Sequence, residues 1–363
     1  MGEFFFNYGL FLAKVLTVFA FLVAVVVLIT SVGGRGRRER GSISVVKINE
    51  QLDQGREMLH SMVLEPADFK ETLKHRKKQE KAENKARKLA AKRAAKKRGD
   101  GETIVDEKKR RRVFVLGFDG DIRASQVNSL RREITTVLTL ADAYDEVMVK
   151  VESGGGTVHG YGLAAAQMQR IRNKNIRLTV CVDKVAASGG YLMACVANHI
   201  MAAPFAIIGS IGVMAQIPNI HRLLKKYDVD VELLTAGEYK RTLTVLGENT
   251  DKGRSKFISD LEVIHTQFKN FISRFRPQTD LATVATGEVW SGEAALSMNL
   301  VDEVITSDEY IVNCCEQADV YSVKYTSRKT VAEKIGLNAE LHFDKLIDRL
   351  LQRINNARLP GGQ

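Results

Sequence analysis

The chain has 363 residues, 45% of them hydrophobic, and 54 Lys and Arg against 43 Asp and Glu give it a formal net charge of +11. This composition supports a buried core and excludes a wholly disordered polybasic protein, and four cysteines are too few for a disulfide-built scaffold. Residues 35–112 carry 25 basic and 13 acidic residues, whereas residues 113–363 carry 28 and 29, so the positive excess belongs to one N-terminal segment.

The first predicted element is an apolar helix. Residues 15–32 contain no charge, and the apolar stretch already begins near Tyr8, interrupted by Lys14. About 20 apolar residues span a bilayer as a helix. The run is too long for a cleaved signal peptide, and no small-residue cleavage site follows it. We therefore predict a membrane anchor in residues 1–34, with a transmembrane helix at about 8–32.

Residues 35–112 form a basic arm next to this helix. Residues 43–48 are a short apolar run typical of a strand, and residues 70–98 are rich in Ala, Lys, Arg and Glu, which are strong helix formers. Residues 70–98 have too few apolar positions to form a stripe that faces a core, which favours a solvated, partly helical linker. Attraction to anionic lipid headgroups is the functional alternative. No aromatic residue interleaves the charges of residues 70–112, so no nucleic acid is expected as a partner.

The body after residue 112 alternates strand and helix patterns. The predicted strands are residues 113–118, 146–151, 176–182, 199–203 and 229–234, and the predicted helices are residues 123–138, 161–172, 189–196 and 252–276. This alternation predicts an α/β fold with a parallel sheet, whose sites lie beyond the carboxyl ends of the strands. We assign residues 113–305 to this domain and residues 306–363 to a C-terminal helical extension.

Two glycine-rich turns follow the second and third predicted strands. The first contains three consecutive glycines after Ser153, and the second places Ser188 before two glycines and a helix. Neither turn has the spacing of a nucleotide-binding fingerprint. Ser188 fits an ordinary helix N-cap, and it equally fits a nucleophile whose neighbouring N–H groups bind an oxyanion.

A serine nucleophile needs a base, and the residues leave the choice open. His159 follows the first glycine turn, but no Ser-His-Asp signature surrounds it. Lys240 acts as a base only if desolvation lowers its pKa toward neutrality, and a lysine in a loop is ordinarily solvated.

Five stretches in fixed order carry a resemblance. They are VESGGGTVHGYG, AASGGYLMA, IIGSIGV, GEYKRTL and TGEVWSGEAALSMNLVDEV, within about residues 113–305. The arrangement resembles the signal peptide peptidase A family of Ser-Lys membrane serine peptidases, most closely its SohB-like branch. The resemblance implies a Clp-protease/crotonase-like fold and a membrane-anchored serine endopeptidase that cleaves peptides or membrane-associated proteins, such as signal-peptide remnants.

The resemblance also implies roles for individual residues. Ser188 is the nucleophile, Lys240 the general base, Gly155 and Gly189 the oxyanion donors, and Ser210 the hydroxyl that orients the lysine. No metal or organic cofactor is required. The family forms homo-oligomeric rings, in which Ser and Lys pair within one chain or across subunits.

Two residues depart from the family pattern. Gly154 stands where relatives often have Pro, which implies a more flexible oxyanion loop. Glu238 stands near Lys240 where many relatives have a basic residue, and a carboxylate facing the site would raise the lysine pKa.

Other functions and two topologies remain open from the sequence. An acyl-CoA enzyme on the same fold and an inactive membrane scaffold are the alternative functions. The family implies a single-pass protein of the bacterial inner membrane with a periplasmic body. The arginines of residues 35–40 instead predict a cytoplasmic body by the positive-inside rule. The sequence does not identify the substrate, the cleavage preference or the oligomer size.

Overall fold

The computed structural model describes residues 2–33, 41–65 and 110–327, together with six isolated positions between residues 66 and 109. The chain divides into two compact units. One comprises residues 1–42 and 326–363 and contains helix α1, Gly2–Gly33. The other, Ile43–Tyr325, contains most of the sheet and all the predicted site residues. Residues 328–363, which belong to the predicted C-terminal helical extension, and most of the basic arm lie outside the described residues.

Helix α1 coincides with the apolar helix predicted from the sequence. Its described apolar side chains are exposed, among them Phe11, Leu16, Phe19 and Phe21. Over the residues that the structure describes, no helix meets the length and apolarity needed to cross a membrane. Because the side chains of residues 22–33 lie outside the described set, the transmembrane helix stays a prediction.

A single sheet organises the other unit. Its main path runs β1-β10-β2-β3-β4-β6-β9, and a branch leaves β3 through β5 and β7 to β8. The pairings of β2, β3, β4, β5, β6, β9 and β10 are parallel, whereas β8 lies antiparallel to β7. The strands are β1 Gly41–Lys47, β2 Arg112–Gly120, β3 Glu146–Ser153, β4 Arg177–Val182, β5 Val185–Ala187, β6 His199–Ala202, β7 Ile207–Gly209, β8 Val289–Ser291, β9 Glu303–Val304 and β10 Asp319–Ser327.

Helices cover both faces of this sheet. Phe114 and Leu116 of β2 belong to the larger of two apolar clusters, whereas Val113 and Val115 belong to the smaller one. Because successive side chains of a strand point to opposite faces, the sheet separates the two clusters. The remaining described helices are α2 Ile48–Val63, α3 Val127–Val137, α4 Val158–Arg172, α5 Gly189–Ala194, α6 His221–Lys226, α7 Asp251–Phe275, α8 Leu281–Val284, α9 Gly292–Ser297 and α10 Ser307–Gln317.

The predicted α/β class is confirmed, and most predicted elements are present. The strand predicted at residues 229–234 is wrong, because this stretch is irregular and exposes Val229, Leu233 and Leu234. Its apolar alternation is typical of a strand, but within this chain it pairs with no described strand and covers no core. The sequence did not predict β5, β7, β8, β9 or β10, most of which are only two or three residues long. The domain boundaries stay predictions, although β1 and β10 extend the sheet beyond residues 113–305.

Candidate active site

Ser188 lies on a sharp turn between β5 and α5. Its backbone has φ 51° and ψ −116°, a conformation that costs a residue with a Cβ about 1–3 kcal/mol. The side chain makes no capping hydrogen bond to α5, so the N-cap role considered from the sequence is not what holds it there. A strained turn that presents a free hydroxyl at the start of a helix is the geometry of an exposed nucleophile.

Ser210 lies beside Ser188 at the same edge of the sheet. Strands β5 and β7 are parallel, and their last residues, Ala187 and Gly209, lie opposite each other. The two serines directly follow these residues and are therefore neighbours. The Ser188 N–H donates to the Gly209 carbonyl at 2.8 Å, and the Ser210 N–H donates to the Glu288 carbonyl at 2.6 Å. Ser210 also has a positive φ of 51°. The structure thus brings together two predicted site residues that are 22 positions apart in the sequence.

The two glycine-rich turns also meet at this edge. Gly155 has φ +87°, and a Cβ built on it would lie 2.6 Å from the Gly189 nitrogen and 2.8 Å from the Ser188 Cβ. Only glycine fits there, because a side chain would be both strained and in collision. Gly155, Ser188 and Gly189 therefore form one contact group.

The N–H groups around Ser188 differ in their availability. The Gly155 N–H donates to the Ser153 hydroxyl oxygen at 3.0 Å. Among the described residues, no hydrogen bond engages the N–H of Gly156 or that of Gly189. An oxyanion beside Ser188 needs donors that are free in the resting protein. Gly155 thus lies where the sequence predicts, but its own N–H already has an acceptor.

Ser153 and Tyr161 are part of this site, and sequence reasoning missed them. The Ser153 Oγ lies 2.5 Å from the Tyr161 hydroxyl, which donates to the Asp121 carbonyl at 2.7 Å. Burial raises the pKa of Tyr161, so its hydroxyl keeps its proton. The sequence treated Ser153 as the start of a turn, and no local pattern marks a tyrosine eight residues later as its partner.

Lys240 is not assembled with these groups in this chain. Its side chain is exposed, and its N–H donates to the Gly237 carbonyl at 3.1 Å. Within the described part of the chain, neither a hydrogen bond nor an ion pair joins Lys240 to Ser188 or Ser210. The Glu238 carboxylate instead accepts from Lys252 Nζ at 2.5 Å, which lowers the pKa of Glu238.

The other candidate groups offer no rival centre. His159 is exposed at the start of α4, and no hydrogen bond links it to Ser188 among the described residues. Burial raises the pKa of both Cys181 and Cys195, which keeps these thiols protonated and unreactive. The described residues include no group of three or more His, Cys, Asp or Glu able to hold a metal ion.

Comparisons with known proteins identify peptidases as relatives of this chain. Residues 3–168 match the model described as "Peptidase family S49 N-terminal", and residues 170–321 match "Peptidase family S49". The "Probable protease SohB" of Haemophilus influenzae is 49% identical over 343 residues, covering 94% of this chain and 95% of that protein.

More distant relatives carry similar names. The "Putative protease SohB" of Buchnera aphidicola subsp. Baizongia pistaciae is 40% identical over 349 residues, covering 96% of this chain and 98% of its own. "Protease 4" of Salmonella typhi is 26% identical over 206 residues, covering 55% of this chain and 31% of that protein. The order of the five motifs, the strained serine turn and these matches lead to one conclusion: the chain belongs to peptidase family S49.

Proposed function

We propose that this peptidase is a serine endopeptidase with Ser188 as the nucleophile and Lys240 as the general base. The observation that carries the proposal is the backbone of Ser188, with φ 51° and ψ −116° at the start of α5. A protein keeps such strain where function depends on it. The free N–H of Gly189 and the close approach of Gly155 add the surroundings that a tetrahedral intermediate requires.

The reaction begins when neutral Lys240 takes the proton from Ser188 and the serine oxygen attacks a peptide carbonyl. The oxyanion binds the N–H of Gly189 and a second donor, each worth about 3–4 kcal/mol. Because the Gly155 N–H is held by Ser153, the second donor is the N–H of Gly156, which has no acceptor among the described residues. Lys240 then protonates the leaving amine, and water hydrolyses the acyl-enzyme. Ser210 orients Lys240, and no cofactor enters the reaction.

We propose further that Lys240 reaches the site from a neighbouring subunit of a homo-oligomer. In this chain Lys240 is exposed, on an irregular stretch after α6 that also exposes Leu234 and Tyr239, and Met214 is exposed before α6. Met214 and Leu234 are 89% and 88% exposed, which is unfavourable for large apolar side chains unless a partner covers them. A second copy that packs against this stretch would bury the apolar side chains and desolvate the lysine, which lowers its pKa.

A fluorophosphonate probe tests the dyad. We expect the probe to label Ser188 at pH 8–9, and labelling to be lost in Ser188→Ala and strongly reduced in Lys240→Ala. Lys252→Ala is the matched control, because Lys252 is also an exposed lysine near this stretch and pairs with Glu238. A folded oligomer that stays unlabelled would instead favour an acyl-CoA enzyme or an inactive scaffold.

Mixing two inactive variants tests the pairing across subunits. Ser188→Ala and Lys240→Ala chains are mixed, exchanged under mild denaturation and reassembled. If the pair forms between subunits, mixed oligomers contain some intact sites and recover up to about a quarter of the activity, from random pairing of equal amounts. If the pair forms within one chain, every site lacks one member and the mixture stays inactive.

We propose that the N-terminal segment attaches the enzyme to the bacterial plasma membrane. The uncharged run of residues 15–32 supports attachment, and the basic residues that follow favour anionic headgroups. Substrates are then peptides or membrane-associated proteins near the bilayer, such as signal-peptide remnants. A C-terminal alkaline phosphatase fusion distinguishes the two topologies, since it is active only if the body is periplasmic. An inactive fusion at normal abundance supports the cytoplasmic body that the flanking arginines predict.

A further inference from the structure

A chain of hydrogen bonds runs from the oxyanion loop into the core. The Gly155 N–H donates to Ser153 Oγ at 3.0 Å, Ser153 Oγ lies 2.5 Å from the Tyr161 hydroxyl, and that hydroxyl lies 2.7 Å from the Asp121 carbonyl oxygen. We propose that Ser153 and Tyr161 are positioning residues that hold the Gly155–Gly156 peptide in the orientation that binds the oxyanion. This inference rests on the proposed function and names the groups that make its site rigid.

The number of protons on each hydroxyl helps to assign the donor and the acceptor of each of these hydrogen bonds. A phenol has one proton, and Tyr161 donates it to the Asp121 carbonyl, which cannot donate in return. Ser153 therefore donates to the Tyr161 oxygen at 2.5 Å rather than to the Gly120 carbonyl, which lies farther away at 3.3 Å. The Ser153 oxygen accepts from the Gly155 N–H. Each hydroxyl both accepts and donates, so the bonds polarise one another and the Gly155 N–H has one defined acceptor.

Tyr161 also supports the other oxyanion donor, Gly189, through its ring. The ring is fully buried, and a Cβ built on Gly189 would lie 2.4 Å from the Tyr161 Cγ. The ring thus packs directly against the backbone of Gly189, while its hydroxyl holds Ser153. One side chain contacts both turns that flank Ser188 and fixes their separation.

The loop requires such support because three consecutive glycines follow Ser153. Glycine restricts the backbone least, so this run of three glycines does not itself fix the conformation of the loop. A Cβ built on Gly154 would meet nothing within 4 Å, so packing does not fix that residue either. The bond from Gly155 to Ser153 ties the middle of the loop to the core, and the end of the loop is held separately, because the Thr157 N–H donates to the Ile122 carbonyl at 2.8 Å. The N–H of the next residue, Gly156, has no acceptor among the described residues and is the donor that we assign to the oxyanion.

Two conservative variants test this assignment in the full-length enzyme. Ser153→Ala removes the acceptor of the Gly155 N–H, and Tyr161→Phe removes the hydroxyl but keeps the ring against Gly189. With fluorescent casein as substrate, we expect kcat to fall about 10-fold to 100-fold in each variant with KM unchanged, because one oxyanion donor is worth about 10²–10³ in kcat. The double variant is expected to equal Ser153→Ala alone, because both residues act through one chain of bonds.

A readout specific to the oxyanion excludes a merely structural effect. Acetyl-Leu-Leu-norleucinal forms a tetrahedral adduct with a serine, whereas the matching peptide alcohol does not. We expect the variants to bind the aldehyde about 10-fold to 100-fold more weakly and the alcohol as the wild type does. Tyr191→Phe is the matched control, since Tyr191 is equally buried and its hydroxyl donates to the Leu300 carbonyl, away from the loop.

The possible outcomes separate this inference from the function on which it rests. If the wild type is not labelled by fluorophosphonate, the proposed function fails and the inference fails with it. If the wild type is labelled but both variants keep kcat and the aldehyde-to-alcohol affinity ratio within twofold, only the positioning role is refuted. An equal loss of kcat in Tyr191→Phe would also refute it, because the effect would then follow any buried tyrosine hydroxyl.

Discussion

The strain at Ser188 predicts that this residue, the proposed nucleophile, destabilises the fold. Replacing Ser188 by Gly removes the Cβ that makes φ 51° and ψ −116° unfavourable. The same substitution removes no capping interaction, because the side chain caps no N–H of α5. We therefore expect Ser188→Gly to be inactive and more stable than the wild type.

The expected gain follows from two opposing terms. Release of the strained backbone gives about 1–3 kcal/mol. The greater freedom of glycine in the unfolded chain costs about 0.5–1 kcal/mol. The net gain lies between about 0 and 2.5 kcal/mol, and its middle value of about 1 kcal/mol raises Tm by about 2–4 °C in a domain of this size.

Thermal unfolding of the full-length protein at one protein and detergent concentration measures this gain. Ser188→Ala is the control, since it is equally inactive but keeps the Cβ and therefore the strain. We expect Ser188→Gly to melt above both the wild type and Ser188→Ala. A glycine variant that melts at or below the alanine variant would show that the turn is not strained and would refute the reasoning.

Two further substitutions test the site and the core. Gly155→Ala places a methyl group 2.8 Å from the Ser188 Cβ, and we expect it to lower kcat/KM for casein about 100-fold. Gly154→Ala is its control, because the new methyl group meets nothing within 4 Å and kcat/KM is expected to stay near the wild-type value. Equal effects of the two substitutions on the rate of casein cleavage would contradict this reasoning. Glu133 is 3% exposed, and one of its carboxylate oxygens lacks a hydrogen bond in the described structure. Burial raises the pKa of Glu133. The stability that protonated Glu133 gives the folded protein is therefore present at low pH and is lost as pH rises through the pKa of the folded state. Glu133→Gln keeps the bond from the Tyr325 N–H and does not ionise, so we expect it to raise Tm by about 2–4 °C at pH 8, the effect of about 1 kcal/mol, and by much less at pH 4. An equal gain at both pH values would show that ionisation of Glu133 is not the cause.

Local patterns in the sequence predicted much of the body. Buried runs such as residues 113–118 and 146–151 are strands in the structure, because apolar β-branched residues between turn signals favour a buried strand wherever they occur. The long helix α7 was likewise predicted within one residue at each end. The strand predicted at residues 229–234 is absent, because a strand also needs a neighbouring strand to pair with, and an alternating apolar pattern does not supply one.

The candidate site could be predicted only in part, because some of its residues are close in the sequence and others meet only through the fold. Ser188, Gly189 and Gly155 belong to short motifs whose spacing is local, and the structure brings them together with Ser210. The expectation that the loop is flexible because Gly154 replaces a proline did not include the hydrogen bond from Gly155 to Ser153. Tyr161 is a helix residue with no motif of its own, so its contact with the loop follows only from the packing of α4.

The sequence by itself determined the family and the α/β alternation and marked Ser188 as the candidate nucleophile, because motifs and hydrophobic periodicity are properties of neighbouring residues. Only the tertiary structure decided how these residues act together. The parallel register of β3, β5 and β7 brings distant turns to one edge, and the fold imposes a positive φ on Ser188. The same packing joins Gly155 through Ser153 and Tyr161 to Asp121, and it leaves Lys240 exposed. Such contacts depend on which elements meet in space, and the free energy that selects them comes from burying the whole core.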